Sequence, residues 1–437
     1  MSRMNSILDP LLDATSKGFP HRSPPLRRSM IGAQGWNVLA GDLPLPLAVI
    51  KRDALQHNLG WMQRYADDAG VRLAPHGKTT MSPQLFRRQL DAGAWGLSFA
   101  TVAQLRIGVE AGARHCLIAN QVFDAGDLAA IAKLQHEHAE LRVVFLLDSP
   151  AQLELIEAAH LEHPFEVLLE VGVPGGRSGC RTFDDALALA RRARASTALR
   201  LAGIECYEGL GVKGETEIDR ANADALMQRV TAITLQCDRE NLFEASEVIV
   251  SAGGSAIFDL VVPALKPVLS RPVVALLRSG CYITHDHGFY RRMVAVANLR
   301  LGCDNGMHDS QGLQAALEVW ALVQSLPEPG LAILAVGRRD VSYDIEMPIP
   351  IAHAPRMARS SHDVRPVPSD WKISGLNDQH AYLRFEGDPG LVGIAGLAVG
   401  DRVVLGISHP CTTFDKWRWM PIVDADYRVV DALVTCF

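Results

Sequence analysis

One lysine of this chain stands where a solvated surface lysine is not expected. It lies in the segment VRLAPHGKTT, residues 71–80, in which Lys78 follows a short apolar run, His76 and Gly77. A primary amine at the end of a buried strand can bond covalently to a carbonyl carbon and can move a proton once it is released. Taken alone, Lys78 also fits a surface lysine that opens a helix, so its role depends on the residues that lie beside it.

A second candidate site lies near the end of the chain, in SHPCTTFDKWRW. His409 and Cys411 are two residues apart there, with Pro410 between them. Proline indicates the end or edge of a strand, where a period of two would point both side chains to one face and let imidazole and thiolate share a Zn²⁺ ion. Two protein ligands suit a catalytic metal with open positions, since a structural zinc site has four. The alternative is a buried cysteine beside a core histidine.

The elements that must position these residues follow from the spacing of apolar runs. Strand-length runs alternate with helix-length amphipathic segments over about 210 residues. Such alternation indicates parallel strands with crossover helices, and eight repeats predict a closed (β/α)₈ TIM barrel. A doubly wound open sheet is the alternative fold. The predicted strands are residues 71–77, 95–100, 115–120, 141–148, 165–173, 199–209, 247–254 and 273–280.

The barrel prediction gives meaning to the polar loops after its strands, because catalytic residues of such barrels lie at the carboxyl ends of strands. The loop after the seventh strand contains Gly253, Gly254 and Ser255, and the loop after the eighth contains Gly280 and Tyr282. Paired glycines alone usually make a turn. Together, these two loops are placed to bind a phosphate through backbone N–H groups. A lysine opposite a phosphate site is the arrangement that holds pyridoxal phosphate (PLP), which would explain Lys78.

Beyond the barrel the pattern changes to strands without intervening helices. The first of these is RMVAVANLRLG, and the proline-containing stretch from Ile349 to Asp370 is predicted to be a loop. The sequence therefore predicts a barrel over residues 51–288 and an all-β domain with the metal pair over residues 289–437. Residues 1–50 form an N-terminal segment whose end, LPLPLAVIK, is predicted to add a strand to the β domain.

Composition excludes several classes of partner. The 437 residues include 43 Lys and Arg against 49 Asp and Glu, which gives a net charge of −6 and no field for nucleic acid or anionic lipid. No stretch resembles a secretory signal or a membrane span, so we expect a cytoplasmic protein that binds a small molecule. The eight cysteines show no CxxC spacing and are predicted to be free thiols, mostly in the core.

Several motifs resemble one known family, the fold type III PLP enzymes of the D-serine dehydratase and D-threonine aldolase group, with alanine racemase as a more distant relative. PHGKTT is similar to the segment that carries the cofactor-binding lysine. GGRSG, with Arg177, resembles the loop beside the phenolic oxygen of the cofactor, and CYEG, with Tyr207, resembles the Tyr-x-Gly after strand six. RSGCYITHD is similar to an Arg-x-Gly-x-Tyr segment, LNDQH to a Glu-Glu-His stretch, and SHPCTTFDKWR to the signature of the dehydratase-like C-terminal domain.

The resemblance implies that His76, Lys78, Arg177, Tyr207, Gly253, Gly254, Ser255, Gly280 and Tyr282 bind PLP, with Lys78 also catalytic, and that His409 and Cys411 bind a divalent metal. Three positions depart from the family pattern. Thr80 replaces a second histidine, AGGS lacks the threonines of a Gly-Gly-Thr-Gly-Thr loop, and NDQH lacks the paired glutamates. These departures bear on the phosphate contacts and on the substrate.

The activity expected from the resemblance is elimination of water and ammonia from a β-hydroxy D-amino acid to give a 2-oxo acid. Retro-aldol cleavage to glycine and an aldehyde is the first alternative, although the aldolases carry His-x-Asp where this chain has His409-x-Cys411. Racemisation, with Tyr282 or a partner residue as the second acid/base, and a non-catalytic PLP carrier are further alternatives. A head-to-tail C2 homodimer is also expected from the resemblance and from the frequency of such symmetry.

Overall fold

Eight parallel strands form a barrel in the computed structural model, which describes residues 7–160, 162–209, 212, 214–301, 312–385 and 397–437. From the second strand to the eighth, each strand pairs with the next, and the eighth pairs with the first, so the barrel is nearly closed. The first and second strands are joined by the bridge between His76 and Ser98 and by the hydrogen bond from Trp95 N to Leu73 O. The alternation of apolar runs therefore predicted the barrel correctly, and the open sheet is excluded.

All eight predicted barrel strands are present. The first strand is the shortest, because Pro75 has no N–H group and cannot continue the ladder. Leu117, Val144 and Leu168 belong to a cluster that fills the interior, so the barrel is a packed core with its site at the mouth. The strands are Arg72–Leu73, Leu97–Phe99, His115–Gln121, Arg142–Leu147, Phe165–Val171, Leu199–Cys206, Val248–Ala252 and Val273–Leu277.

Helices connect these strands, and several begin at the predicted polar caps. The hydroxyls of Thr101, Ser149 and Thr182 each accept a hydrogen bond from a backbone N–H in the first turn of their helix. Among the described residues, no helix is both long and apolar enough to cross a membrane. The helices are Arg52–Asp68, Pro83–Asp91, Val102–Glu110, Ala125–Glu137, Pro150–Ala158, Phe183–Ala195, Thr216–Arg239, Phe258–Val261 and Phe289–Arg300.

A largely antiparallel β domain follows the barrel. Its central strand, Leu317–Glu328, pairs on one side with Arg402–Gly406 and on the other with Leu47–Lys51, so the N-terminal segment does add a strand to this domain. Leu47–Lys51 also pairs in parallel with Trp419–Val423. The remaining strands of the domain are Leu331–Leu334, Ile349–Ala354, Arg365–Pro366, Lys372–Leu376, Ala381–Arg384 and Val429–Val434, and a separate hairpin pairs Leu11–Leu12 with Leu26–Arg27.

The segment predicted to be the first strand of the β domain is a helix instead, Phe289–Arg300. Its buried residues, Met293, Val294 and Ala297, have helical spacing. The carboxylate of Asp286 accepts hydrogen bonds from backbone N–H groups at the start of this helix. The prediction was wrong because a short apolar run does not distinguish a helical period from a strand period. Asp286, a residue type that caps helices, was the sequence signal for a helix at this position.

The predicted loop from Ile349 to Asp370 also contains strands. Ile349–Ala354 pairs with Arg402–Gly406, and Arg365–Pro366 pairs with Ile349–Ala354 at the edge of the sheet. Pro350 is tolerated because it lies at a register shift in the ladder, where the regular pairing is interrupted. Proline density therefore predicted irregular pairing here but not the absence of strands.

Candidate active site

Lys78 lies at the mouth of the barrel, in a 3₁₀ turn, Gly77–Thr79, directly after the first strand. Gly77 is required there because a Cβ atom at this position would lie 2.7 Å from Phe99 and 2.9 Å from Phe86. Lys78 is exposed toward a pocket to which several strand-end loops contribute. The polar residues and the glycine that line this pocket are His76, Lys78, Asn120, Arg177, Glu205, Tyr207, Gly253 and Arg278.

His76 is neutral in this pocket. Its Nδ1 atom is buried and has no hydrogen-bond partner within the protein. Burial lowers the pKa of His76 well below its usual value, and the positive charges of Lys78, Arg278 and Arg177 lower it further. A buried ring nitrogen without a partner is the kind of group that a bound ligand satisfies.

Arg177 and Tyr207 meet across the pocket although they come from different loops. The guanidinium carbon of Arg177 lies 4.9 Å from the centre of the Tyr207 ring, within the range of a cation–π contact. Burial raises the pKa of Tyr207, and the nearby carboxylate of Glu208 raises it further. The structure therefore brings both residues to the pocket in which Lys78 lies.

The predicted phosphate loop binds an anionic group in this structure, the side chain of Glu208. Its carboxylate accepts hydrogen bonds from the backbone N–H groups of Gly253, at 2.9 Å, and Gly254, at 2.5 Å. Gly253 has a φ of 142°, and a Cβ atom there would lie 2.5 Å from the backbone N of Arg278. The loop thus has the backbone geometry of an anion cradle, with a carboxylate standing where a phosphate would bind.

The other two predicted members of the cradle support neighbouring loops. The Ser255 hydroxyl accepts a hydrogen bond from the backbone N–H of Cys281 at 3.3 Å. Gly280 lies against the first-strand loop, since a Cβ atom there would be 2.6 Å from both His76 O and Thr79 Oγ1. Replacement of Gly280, or removal of the Ser255 hydroxyl, would therefore disturb the contact between the loops that carry Lys78 and Cys281.

A buried ion pair, which the motif analysis did not assign to the site, lies in the pocket. Arg278 Nη2 is 2.7 Å from Glu205 Oε2, and Arg278 also donates to Ser251 Oγ at 2.5 Å and to Cys206 O at 2.9 Å. Burial raises the pKa of Glu205 to about 7. The charge of Arg278 opposes this shift, and the carboxylate of Glu170 adds to it. Glu205 was not singled out from the sequence because it lies inside a buried strand, whereas the candidate residues were sought in the loops after the strands.

Tyr282 is placed differently from His76, Lys78, Arg177, Tyr207 and Gly253. Its side chain is buried, and its hydroxyl accepts a hydrogen bond from Gln89 Nε2 at 3.2 Å. It is absent from the residues that line the Lys78 pocket. A role for Tyr282 in binding the cofactor or in moving a proton stays a prediction.

The sequence predicted that His409 and Cys411 share one face of a strand, and this prediction was wrong. The strand before them ends at Gly406, and Cys411 begins a helical turn, Cys411–Phe414. His409 Nδ1 is 2.5 Å from Asp344 Oδ2, and Thr412 Oγ1 donates to the other oxygen of the same carboxylate at 2.7 Å. Pro410 adopts helical backbone angles, which turns the chain between the two candidate ligands.

Cys411 contacts the barrel through two side chains. Its Sγ atom lies 3.5 Å from Thr79 Oγ1 and 3.5 Å from Cys281 Sγ. The hydrogen bond with Cys281 lowers the pKa of Cys411, and Thr79 and the charge of Lys78 lower it further. Burial opposes this shift. Cys411 therefore sits beside the turn that carries Lys78, in surroundings that lower the pKa of its thiol.

These donors fit a metal ion that keeps open positions. In the parts of the chain that the structure describes, no three His, Cys, Asp or Glu side chains are grouped closely enough to hold an ion. A histidine whose second nitrogen is held by a carboxylate, as His409 is by Asp344, is nevertheless the common arrangement of a metal ligand. Imidazole and thiolate together suit Zn²⁺ among the divalent ions.

Comparison with known proteins agrees with this geometry. Residues 50–280 match the family model described as alanine racemase, N-terminal domain, and residues 316–423 match the putative serine dehydratase domain. The chain belongs to the fold type III PLP enzymes. The resemblance that the sequence motifs indicated is thereby confirmed, as is the alanine-racemase-like fold.

The relatives found for this family member include both aldolases and a dehydratase. The chain is 27% identical to D-threonine aldolase from Arthrobacter sp over 78% of this chain and 80% of that protein. It is 31% identical to D-threo-3-hydroxyaspartate dehydratase from Delftia sp. (strain HT23) over 48% and 53%.

Solved structures share the fold at lower identity. D-threonine aldolase from Filomicrobium marinum matches with a TM-score of 0.71 and 24% identity, over 92% of this chain and 97% of that one. The Delftia dehydratase matches with a TM-score of 0.69 and 24% identity, over 92% and 99%.

Proposed function

We propose that this chain is a PLP-dependent dehydratase that converts a β-hydroxy D-amino acid, such as D-serine or D-threonine, to a 2-oxo acid and ammonia. The observation that carries the proposal is the contact of Cys411 with Thr79, because it puts the sulfur of the predicted metal ligand next to the loop of Lys78. The two functional regions, one in the barrel and one in the β domain, therefore face a single reaction space.

The cofactor fits the barrel pocket. Lys78 would carry PLP, the N–H groups of Gly253 and Gly254 would bind its phosphate in place of the Glu208 carboxylate, and the neutral His76 would lie against it. Bound PLP supplies an electron sink for the pair of electrons that remains when a proton leaves the α-carbon. Arg177 and Tyr207 complete the polar wall of the pocket.

The roles of the side chains follow from their positions. Lys78, once its amine is released, is the base that takes the α-proton, because it is the primary amine that lines the pocket. The buried Arg278 and Glu205 pair holds a fixed charge arrangement in the pocket and lies too deep for solvent to screen it. The substrate loses its α-proton and its β-hydroxyl, and hydrolysis of the resulting product gives the 2-oxo acid and ammonia.

The metal is proposed to activate the leaving group. A divalent ion on His409 and Cys411 would supply positive charge to the β-hydroxyl, since hydroxide leaves poorly without it. The Delftia dehydratase has been solved as a histidine-to-alanine variant and as a cysteine-to-alanine variant in the metal-free form, changed at positions two apart. The spacing of His409 and Cys411 is the same, which supports a metal at this pair.

Retro-aldol cleavage is the second candidate. The longest sequence match reported above is to the Arthrobacter aldolase, over 78% of this chain. Cleavage would require removal of a proton from the β-hydroxyl, with the bond between Cα and Cβ breaking to give glycine and an aldehyde. The thiolate of Cys411, at a position where the aldolases resembling this sequence carry aspartate, favours the dehydratase. The racemase and carrier alternatives have no structural observation in their favour, and the homodimer and the cytoplasmic location stay predictions.

A panel of substrates tests the proposal. Purified PLP-loaded enzyme is incubated with D-serine, D-threonine, D-alanine and their L-isomers, and 2-oxo acid, ammonia and aldehyde are measured separately. The proposal expects equal amounts of 2-oxo acid and ammonia from D-serine and D-threonine, and no product from D-alanine or from the L-isomers. Formation of L-alanine from D-alanine would instead identify a racemase.

A further inference from the structure

Two thiols from different domains meet beside Lys78. Cys281 follows the last barrel strand, Cys411 follows a strand of the β domain, and their Sγ atoms are 3.5 Å apart. Both cysteines are free, and this separation is far longer than a disulfide bond of about 2.05 Å. Motif analysis of the sequence did not place Cys281 in the site, because it occupies a variable position of the Arg-x-Gly-x-Tyr segment.

The separation of the thiols is that of two ligands on one ion. A tetrahedral Zn²⁺ ion binds each thiolate sulfur at about 2.3 Å, which places two such sulfurs roughly 3.8 Å apart. The observed 3.5 Å requires a change of only a few tenths of an ångström.

Cys281 also differs from the other buried cysteines of the described residues. Cys116, Cys180, Cys206 and Cys237 are packed into the main hydrophobic core, whereas Cys281 is buried outside it. Its neighbours are polar: Thr79 Oγ1 lies 4.0 Å from its Sγ atom, and the Ser255 hydroxyl binds its backbone N–H. A buried thiol in polar surroundings, next to a second thiol, has the environment of a ligand rather than of a core residue.

We propose that Cys281 is a third protein ligand of the divalent ion, so that Cys281, Cys411 and His409 form a Cys₂His site with one open position. The inference deepens the proposed function and rests on its metal at His409 and Cys411. In the described residues these three side chains are not grouped closely enough to hold an ion. The thiol pair is near ligand spacing, and His409 is the donor that would have to close onto it when an ion binds, with its Nδ1 atom held by Asp344. Three protein ligands with one open position are typical of catalytic zinc.

This ligand set has a consequence for the substrate. With three positions filled by the protein, a four-coordinate ion accepts one substrate atom, which is the β-hydroxyl oxygen in the proposed reaction. Two thiolates also neutralise the charge of the ion within a site that lies close to Lys78. The ion is therefore held by both domains and fixes the β domain on the barrel mouth.

Zinc K-edge X-ray absorption on the PLP-loaded enzyme, prepared with one equivalent of zinc and a thiol-free reductant, tests the proposal by counting sulfur ligands. Wild type should show two sulfur neighbours, and both Cys281→Ala and Cys411→Ala should show one. Cys436→Ala, which changes a partly buried cysteine outside the thiol pair, is the control and should show two. Zinc affinity, measured by competition with a chelator, should fall at least about 100-fold in Cys281→Ala, beyond the effect of most outer-shell changes.

The outcomes separate this inference from the proposed function. One sulfur neighbour in wild type, with an unchanged count in Cys281→Ala, would overturn the role of Cys281 and leave the pair of His409 and Cys411 intact. No sulfur neighbour in wild type would overturn the metal pair itself. The wild-type count needs no substitution, so it decides the question even if a variant fails to fold.

Discussion

The two sides of the active site hold their charged groups in different ways. On the barrel side, Arg278 and Glu205 form an ion pair whose side chains are only 4% and 1% exposed. On the β-domain side, the side chains of His409 and Asp344 are 20% and 42% exposed. The barrel therefore fixes its polar groups by burial, while the β domain presents its groups from a loop.

This difference indicates whether the geometry of each side depends on a bound ligand. A buried ion pair has little solvent to compete with it, so the barrel side keeps its geometry without help. Charges on a more exposed loop are screened by solvent, so an ion shared with the barrel would fix this loop. In the proposed reaction, the barrel would bind the cofactor and the β domain would help to hold the metal that acts on the leaving group.

Loss of Lys78 should have the largest effect on the barrel side. Replacement by alanine removes the amine that attaches PLP and the base that takes the α-proton, so activity should fall at least about 10⁴-fold. Borohydride should label a peptide that contains Lys78 in wild type, and the visible absorption of lysine-bound PLP should disappear in the variant. Lys133→Ala, on an exposed helix, is the control. A label on another lysine would refute the assignment.

Breaking the buried ion pair should destabilise the fold. At a pH above 7, where Glu205 is ionised in wild type, Arg278→Met leaves this carboxylate without its cation in a buried site, so the free energy of unfolding should fall by about 3–5 kcal/mol. Arg339→Ala, which removes an exposed pair with Asp378, should cost less than about 1 kcal/mol. Denaturation by urea measures both. Equal effects for the two variants would show that the barrel side is not fixed by burial.

The stability of wild type should decrease with pH because of Glu205. Its pKa is raised from 4.5 to about 7 in the folded chain, so the folded state binds more protons than the unfolded state between these values. This group therefore lowers stability as pH rises through that range, by up to about 3 kcal/mol in total. Glu205→Gln should lose this component, measured as the difference between the two unfolding profiles. Parallel profiles would mean that Glu205 is ionised in the folded state throughout.

Replacing Asp344 should have a smaller effect than the changes at Lys78 and Arg278, because Asp344 is proposed to act on the metal only through His409. Asp344→Asn keeps the size of the side chain but removes the negative charge beside Nδ1, so zinc affinity should fall about 10–100-fold. Lysine-bound PLP should keep its absorption, which separates an effect on the metal from general unfolding. Asp378→Asn, at another exposed aspartate of the same domain, should leave zinc affinity unchanged. A loss of PLP binding in Asp344→Asn would contradict this division between the two sides.

The barrel side was largely predictable from the sequence. Parallel strands end at one rim, so residues that follow successive apolar runs meet there, and Lys78, Arg177, Tyr207 and Gly253 do line one pocket. What local patterns could not show was the partner of each group. The occupation of the glycine loop by Glu208 and the pairing of Arg278 with Glu205 depend on contacts between strands.

The β-domain side was less predictable, since its geometry depends on packing between distant segments. His409 and Cys411 were found by their spacing, but the strand that was expected to align them ends at Gly406. Asp344 and Cys281 lie 65 and 130 residues away from their partners in the chain. Asp344 did not stand out because the antiparallel domain has no repeat that orders its loops, and Cys281 did not because it occupies a variable position of the motif after the last barrel strand.

The products formed from D-threonine, with and without metal, test the central claim most directly. Zinc-loaded wild-type enzyme should give 2-oxobutanoate and ammonia, and chelation should abolish both while the absorption of lysine-bound PLP remains. Metal readdition should restore the products, because the ion acts on the β-hydroxyl and not on the attachment of the cofactor. Glycine and acetaldehyde without 2-oxobutanoate, or full 2-oxobutanoate formation by the metal-free enzyme, would contradict the account.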